Sequence, residues 1–178
     1  FFKQKTAYEI STRDWSSDVC SSDLEDDQAP VIVAGRSEIP PAWHVVAEGD
    51  GYGGEPVVLA HEDSEALMKM TVLDTLLNNA DRKGGHVLRA ADGRVYGIDH
   101  GLTFHEESKL RTVLWGWAGK AIPDSLGEPV ERLVVDGVKG EAWSCLSRAE
   151  RSAFMRRGQH LLATGQFPLA NSGWPALP

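Results

Sequence analysis

Two short segments of the chain hold most of the side chains that could take part in a reaction. The first runs from Asn79 to His86 and places Asp81 five residues before the histidine. The second runs from Gly97 to Gly101 and carries Asp99 in an Asp-x-Gly sequence. Carboxylate and imidazole groups bind divalent cations, and a free carboxylate can orient or deprotonate an attacking hydroxyl. The two segments together therefore indicate a metal-assisted reaction, with a loop Asp beside the metal ligands.

The sequence between these segments predicts a β-hairpin that brings His86 and Asp99 together. Asp92-Gly93 is typical of a two-residue hairpin turn, and strand-like residues flank it on both sides. With those two residues as the turn, His86 faces Asp99 directly, and directly opposed residues place their Cβ atoms about 5 Å apart. We therefore expect these two side chains to be metal ligands at the open end of the hairpin.

Helices are predicted on both sides of the hairpin. One begins at Asp63-Ser64 and ends near Asn78. Its predicted core-facing stripe comprises Ala66, Met70, Leu73, Leu77 and Ala80. Another helix is expected around Glu128 to Val135, and a clearer one begins at a Ser147 capping box and ends at Gly165. Short apolar runs between Pro and Gly residues precede the first helix, and strands are expected there. With these strands and the more extensive predicted helices, the predicted fold class is α+β, mainly α.

The two segments resemble the motifs of the phosphatidylinositol 3- and 4-kinase superfamily. Asp81-Arg82 matches its catalytic loop and Asp99-His100-Gly101 matches its metal motif, within a resemblance that covers roughly Met68 to Phe104. Over nearly all of residues 25–178 the chain also resembles uncharacterised actinobacterial proteins described only as kinase-like. That second resemblance rests on two stretches, Asn78 to His86 and Lys109 to Gly119.

The resemblance implies the C-terminal lobe of a protein-kinase-like fold, with the small hairpin at the active cleft and the N-terminal lobe truncated. It implies ATP with Mg²⁺ or Mn²⁺ as cofactor, and a lipid headgroup, a small metabolite or a protein as phosphate acceptor. The implied site residues are Asp81 and Arg82 as catalytic residues, Lys83 at the nucleotide phosphates, and His86 and Asp99 as metal ligands. Arg82 and Lys83 could equally pair with nearby acids.

One residue departs from the superfamily pattern, because His86 stands where the superfamily carries Asn. Magnesium prefers oxygen ligands, whereas imidazole suits softer divalent ions, so Mn²⁺ is a plausible substitute. The departure also keeps open a pseudokinase or regulatory module that binds nucleotide or a partner without turnover. A metal-dependent hydrolase is a further alternative, and it would need a third or fourth ligand such as His100 or His105.

The first 24 residues resemble a translated sequencing adapter. Back-translation of Phe2 to Glu9 and of Asp14 to Asp23 gives strings that resemble common library adapter oligonucleotides. We therefore divide the chain into an artefactual segment, residues 1–24, and a truncated kinase-like domain, residues 25–178. Since no glycine-rich phosphate loop or strand lysine is recognisable, we expect little or no kinase activity from this polypeptide alone.

Composition narrows the classes of partner. The net charge is −8, which disfavours nucleic acid as a partner of the whole surface, and no apolar run is long enough to span a bilayer. Outside the adapter-like segment, Cys145 is the one cysteine in the sequence. The absence of a disulfide framework favours a reducing, cytoplasmic setting, and Cys145 is expected to be a buried small hydrophobe.

Overall fold

The computed structural model describes residues 29–170, and they begin with a three-stranded antiparallel sheet. Its strands are β1 (Val31–Ala34), β2 (His44–Asp50) and β3 (Pro56–His61). β3 lies in the centre and pairs with both neighbours, with a bulge in β2 between Val45 and Ala47. The strands expected before the first helix are therefore confirmed. The adapter-like residues 1–24 lie outside the described residues.

The first helix, α1, covers Glu65–Leu77, and both of its predicted ends are confirmed. The Ser64 hydroxyl accepts a hydrogen bond from the backbone N–H of Leu67 at 3.4 Å, and Asn78 adopts a left-handed conformation that ends the helix. The predicted apolar stripe is partly wrong, because Leu73 is 44% exposed. α1 packs against both the hairpin and the last helix, so more than one of its faces is buried.

The hairpin forms, but its predicted register is wrong by one residue. Its strands are β4 (Val87–Arg89) and β5 (Val95–Gly97), and Val87 pairs with Gly97. The loop has three residues, 91–93, and Gly93 adopts a φ of 82° in it. A tight turn followed by a left-handed glycine is the other common short hairpin connection. The residue that faces His86 is consequently Ile98, whose N–H donates to the His86 carbonyl at 2.9 Å.

Three further α-helices follow in the described part of the chain. α2 covers Asp124–Asp136 and begins earlier than the predicted Glu128, α3 is a single turn at Glu141–Ser144, and α4 covers Arg148–Thr164. The capping box before α4 and the left-handed Gly165 after it are both present as predicted. α2 and α4 pack closely at Gly158, where a Cβ would lie 2.8 Å from a methyl group of Val134.

A single apolar core joins the sheet to the helices. Its most buried members are Leu59, Leu67, Val87, Val113, Leu114 and Phe167. The fold of the described residues is therefore α+β. Cys145 is exposed, so its predicted burial is wrong, because it follows directly after the surface turn α3. Within residues 29–170, no helix is both long and apolar enough to cross a bilayer.

A buried histidine fastens the sheet to the segment that contains Trp117. His61, at the end of β3, is fully buried, and its Nε2 accepts a hydrogen bond from the N–H of Gly116 at 3.0 Å. Its Nδ1 therefore carries the proton and donates to the Glu62 carbonyl at 2.8 Å. The ring centroids of His61 and Trp117 are 4.6 Å apart. The pKa of His61 is lowered to about 4, chiefly by burial and also by the nearby His44, although the hydrogen bond to the Glu62 carbonyl and the charges of Asp63 and Glu62 oppose the shift.

This depressed pKa predicts an acid-dependent loss of stability. Between pH 6.5 and about 4 the unfolded chain binds a proton at His61 that the folded chain does not. The contribution of neutral His61 to the free energy of unfolding is therefore fully present above pH 6.5. The free energy of unfolding should fall by about 3 kcal/mol as the pH decreases to 4. The measurement is the free energy of unfolding against pH for the wild type and for His61→Gln. For His61→Gln, the free energy of unfolding should lack this decrease between pH 6.5 and 4. His160→Gln, which replaces an exposed histidine, should retain the decrease. Equal slopes for the wild type and His61→Gln would contradict the assignment.

Candidate functional site

A buried ion pair lies at the centre of the candidate site. The carboxylate of Asp74 in α1 and the guanidinium of Arg82 in the following loop are both fully buried. Nε of Arg82 donates to Oδ2 of Asp74 at 2.9 Å, and Nη2 donates to Oδ1 at 2.8 Å. The side-chain amide of Asn79 adds a third hydrogen bond to the same carboxylate, at 2.9 Å. A bidentate salt bridge thus attaches the loop that contains Asp81 to α1.

The remaining N–H groups of Arg82 hold the hairpin and the turn after it. Nη1 donates to the carbonyl of Ile98 at 2.8 Å and to that of His86 at 3.2 Å, and Nη2 donates to Nε2 of His100 at 2.8 Å. All five N–H groups of the guanidinium consequently have protein acceptors. A Cβ on Gly97 would lie 3.2 Å from both Nη atoms, so the strand approaches the guanidinium directly.

The predicted catalytic residue Arg82 therefore has a positioning role in this arrangement. Its side chain has no exposed surface and no N–H left to donate to a substrate. Its backbone also joins the loop to a later segment, since its N–H donates to the Arg111 carbonyl and its own carbonyl accepts from Val113.

His86 lies in a short 3-10 turn, Gly84–His86, and its ring is nearly buried. Nδ1 lies 3.0 Å from the carbonyl of Asp81 and 3.5 Å from the N–H of Lys83. The shorter contact requires Nδ1 to carry the proton, which leaves the lone pair on Nε2. A metal-binding histidine commonly donates its other ring N–H to a backbone carbonyl in this way.

Asp99 approaches His86 despite the shifted hairpin register. Asp99 has a φ of 54°, a left-handed conformation that Asp tolerates better than most residues, and it turns the chain away from β5. Its Oδ2 consequently lies 3.5 Å from Nε2 of His86. That separation is compatible with two ligands that each lie about 2.1 Å from a common cation. The structure therefore brings the two predicted metal ligands together, by a route that strand pairing alone does not provide.

Asp81 and Lys83 lie at the outer side of the same loop. The Asp81 N–H donates to the side-chain oxygen of Asn79 at 3.0 Å, and its carboxylate lies 3.2 Å from the Lys83 ammonium. The side chains of Asp81 and Lys83 are 22% and 47% exposed. Both predicted residues thus have solvent-accessible charged groups, and each is the other's partner.

The two additional histidines considered as ligands are occupied elsewhere. Nε2 of His100 accepts from Arg82, and the His105 ring contacts the N–H of Glu107 and the ammonium of Lys109. Among the described residues, no group of three or more His, Cys, Asp or Glu side chains could hold a metal. Within residues 29–170, the site therefore offers two side-chain ligands, His86 and Asp99.

Three residues that position the site were not singled out from the sequence. Asp74 is an ionisable residue inside an apolar helix, and that unusual placement was the available signal. Asn79 connects Asp74 to Asp81, and Asn78 fixes the segment after the metal motif. The Asn78 side chain donates to the carbonyls of His105 and Glu107 and accepts from the N–H of Lys109. Adjacent asparagines at a helix C-terminus were the signal for both.

The buried ion pair predicts a large effect for an almost isosteric substitution. Asp74→Asn would leave the Arg82 guanidinium buried without a countercharge, which should lower the free energy of unfolding by about 3–5 kcal/mol. Urea denaturation monitored by circular dichroism measures the change. Glu128→Gln is the control, because the exposed Glu128–Arg132 pair should contribute less than about 0.5 kcal/mol. Equal losses in the two variants would be inconsistent with a central role for Asp74.

Comparison with known proteins gives one curated relative. The chain is 47% identical over 143 residues to Protein Rv2133c of Mycobacterium tuberculosis (strain ATCC 25618 / H37Rv). The similarity covers 76% of this chain and 51% of that protein, so the chain spans about half the length of the curated relative it matches. No protein-family model matches the chain, and no solved structure is significantly similar to it. The name of the relative states no activity.

Proposed function

We propose that the chain carries the catalytic centre of an ATP-dependent phosphotransferase of the phosphatidylinositol-kinase-like type. The observation that supports this most directly is the 3.5 Å separation between Nε2 of His86 and Oδ2 of Asp99. The ring of His86 is oriented by the backbone carbonyl of Asp81. Asp81 is the residue proposed to orient the acceptor hydroxyl and accept its proton. One contact thus couples the position of the proposed catalytic Asp to the position of a proposed metal ligand.

The number of ligands favours phosphoryl transfer over metal-dependent hydrolysis. A catalytic hydrolase metal usually has three protein ligands, and the described residues offer no such group. Metal ions bound with a nucleotide are held by one or two protein groups, with phosphate oxygens and water as the other ligands. His86 and Asp99 fit this second pattern, in which a divalent cation neutralises the phosphate charge during transfer.

The roles of the other residues follow from their exposure. Asp81 has an accessible carboxylate that would orient the acceptor hydroxyl and accept its proton. Lys83 is the more exposed partner of their ion pair, and its ammonium would move from Asp81 to a nucleotide phosphate. Arg82 holds both metal-ligand segments through their backbone carbonyls, so its contribution is positional.

The acceptor is a lipid headgroup, a small metabolite or a protein. An ATP-dependent reaction also fits the reducing, cytoplasmic setting that the cysteine content suggests. The pseudokinase alternative rests on a specific observation, the imidazole of His86 at the proposed metal position. Under that alternative, His86 and Asp99 would bind nucleotide and metal without turnover.

The proposal predicts that ATP consumption depends on Asp99. The test uses the complete protein, assayed for ATP turnover with Mg²⁺ and with Mn²⁺. Asp99→Asn keeps the size of the side chain and tolerates the left-handed backbone, and it should lower turnover by about 100-fold or more because it removes the ligand charge. Asp92→Asn, in the hairpin loop, is the matched control and should leave turnover unchanged. Equal rates for the wild type and Asp99→Asn would exclude the assigned metal site.

A second prediction separates an active enzyme from a pseudokinase and concerns the metal preference. His86→Asn introduces the oxygen ligand of the superfamily and should move the preference from Mn²⁺ towards Mg²⁺. The quantity to measure is the ratio of turnover with Mg²⁺ to turnover with Mn²⁺, together with Mn²⁺ affinity by electron paramagnetic resonance. Weaker Mn²⁺ binding without any turnover in either protein would support the pseudokinase. An unchanged Mn²⁺ affinity would contradict ligation by His86.

A further inference from the structure

A basic cavity lies between α4 and the segment after the metal motif, and the site described above does not use it. The cavity has a volume of about 310 Å³. Its polar lining includes Arg156, Arg157 and His160 from α4, together with Ser108 and Glu106 from the facing segment. The buried side chain of Asn78 holds that facing segment, and thus this wall of the cavity, through three hydrogen bonds.

Arg157 is the unusual member of this group. Its Nε donates to the carbonyl of Leu76 at 2.9 Å and its Nη1 donates to that of His105 at 3.3 Å, so the side chain is drawn inward and half-buried. Its Nη2 is buried and has no hydrogen-bond partner among the described residues. Burial, and then the neighbouring Arg156, lower the pKa of Arg157 to about 10. One of the two adjacent guanidiniums therefore lies against the protein interior.

The carboxylates in the described part of the chain do not fully compensate these two charges. Neither Arg156 nor Arg157 forms an ion pair within residues 29–170, although five other arginines there do. Glu106 lines the same cavity, and it offsets at most one of the two positive charges. Two adjacent guanidiniums without carboxylate partners are unexpected in a protein whose net charge is −8. A buried donor without a partner calls for a water, an ion or a ligand.

We propose that this cavity binds a phosphate monoester. Guanidinium groups bind phosphate through paired N–H donors, and the two arginines leave the lining with a net positive charge even when Glu106 is counted. The Ser108 hydroxyl and the His160 imidazole can supply further hydrogen bonds. The rest of the wall includes Leu110, Ala153 and Pro168, which suits a small organic group on the ester oxygen. The volume is at the lower end of ligand pockets, so the ligand is smaller than a nucleotide.

This site is independent of the proposed phosphotransferase centre, because none of its lining residues is a proposed catalytic residue or metal ligand. The phosphate group could belong to a soluble metabolite or to a lipid headgroup, since the same chemistry recognises both. Binding measurements test the proposed phosphate site, and their outcome does not depend on whether the protein turns over ATP.

The experiment measures binding to the full chain by isothermal titration calorimetry, with glycerol 3-phosphate, inorganic phosphate and glycerol as probes. We expect saturable binding of glycerol 3-phosphate, weaker binding of inorganic phosphate and none of glycerol. Arg156→Gln and His160→Gln should each weaken binding, the first by about tenfold or more. Neither side chain forms a hydrogen bond in the described structure, so folding should be preserved. Arg148→Gln, on the same helix but outside the cavity, is the charge-matched control and should change the affinity less than twofold.

Vesicles that contain phosphatidic acid, compared with phosphatidylcholine vesicles, distinguish the two sources of the phosphate group. If the protein binds the phosphatidic acid vesicles and Arg156→Gln abolishes this binding, the cavity recognises the phosphate group of a lipid. The proposal is overturned if neither the ester nor the vesicles bind saturably. It is also overturned if Arg148→Gln weakens binding as much as Arg156→Gln does, which would indicate attraction to general surface charge.

Discussion

The geometry of the candidate site depends on one interaction, the buried salt bridge between Asp74 and Arg82. Removing two charges from water is costly, and such a pair is tolerated only when hydrogen bonds satisfy the remaining donors and acceptors. Arg82 meets this requirement completely, because its acceptors belong to α1, to both ends of the hairpin and to the turn after it. A single side chain thereby sets the relative positions of four separate segments.

The proposed metal ligands take their positions from this arrangement. The guanidinium contacts the carbonyl of His86 itself and the carbonyl of Ile98, the residue directly before Asp99. The backbone on both sides of the proposed cation is therefore fixed by contacts that no substrate needs to supply. The proposed catalytic carboxylate, Asp81, is attached to the same structure through Asn79, while its outer face remains accessible to solvent. The site thus combines a rigid ligand pair with an accessible acid.

Features controlled by neighbouring residues could be predicted from the sequence, and features controlled by distant contacts could not. The ends of α1 and α4 follow from caps such as Ser64 and Gly165, which act within one turn of the helix. The hairpin could be recognised from its turn residues, but two turn geometries differ by one residue in register, and the sequence did not decide between them. The proximity of His86 and Asp99 was expected from direct strand pairing, yet it arises from the left-handed conformation of Asp99. The partners of buried Asp74 and half-buried Arg157 lie elsewhere in the chain, and hydrophobic periodicity carries no information about them.

The close approach of Gly97 to the guanidinium has a consequence for how this sequence can vary. The guanidinium of Arg82 lies directly against Gly97 and is hydrogen-bonded to Asp74, so substitutions at positions 74, 82 and 97 should not have additive effects on stability. A larger residue at position 97 would be tolerated only together with a smaller residue at 82, and that change would in turn leave an unpaired carboxylate at 74. The three positions should therefore vary together. Changing any one of them alone should affect both the packing of α1 and the positions of the proposed metal ligands, His86 and Asp99.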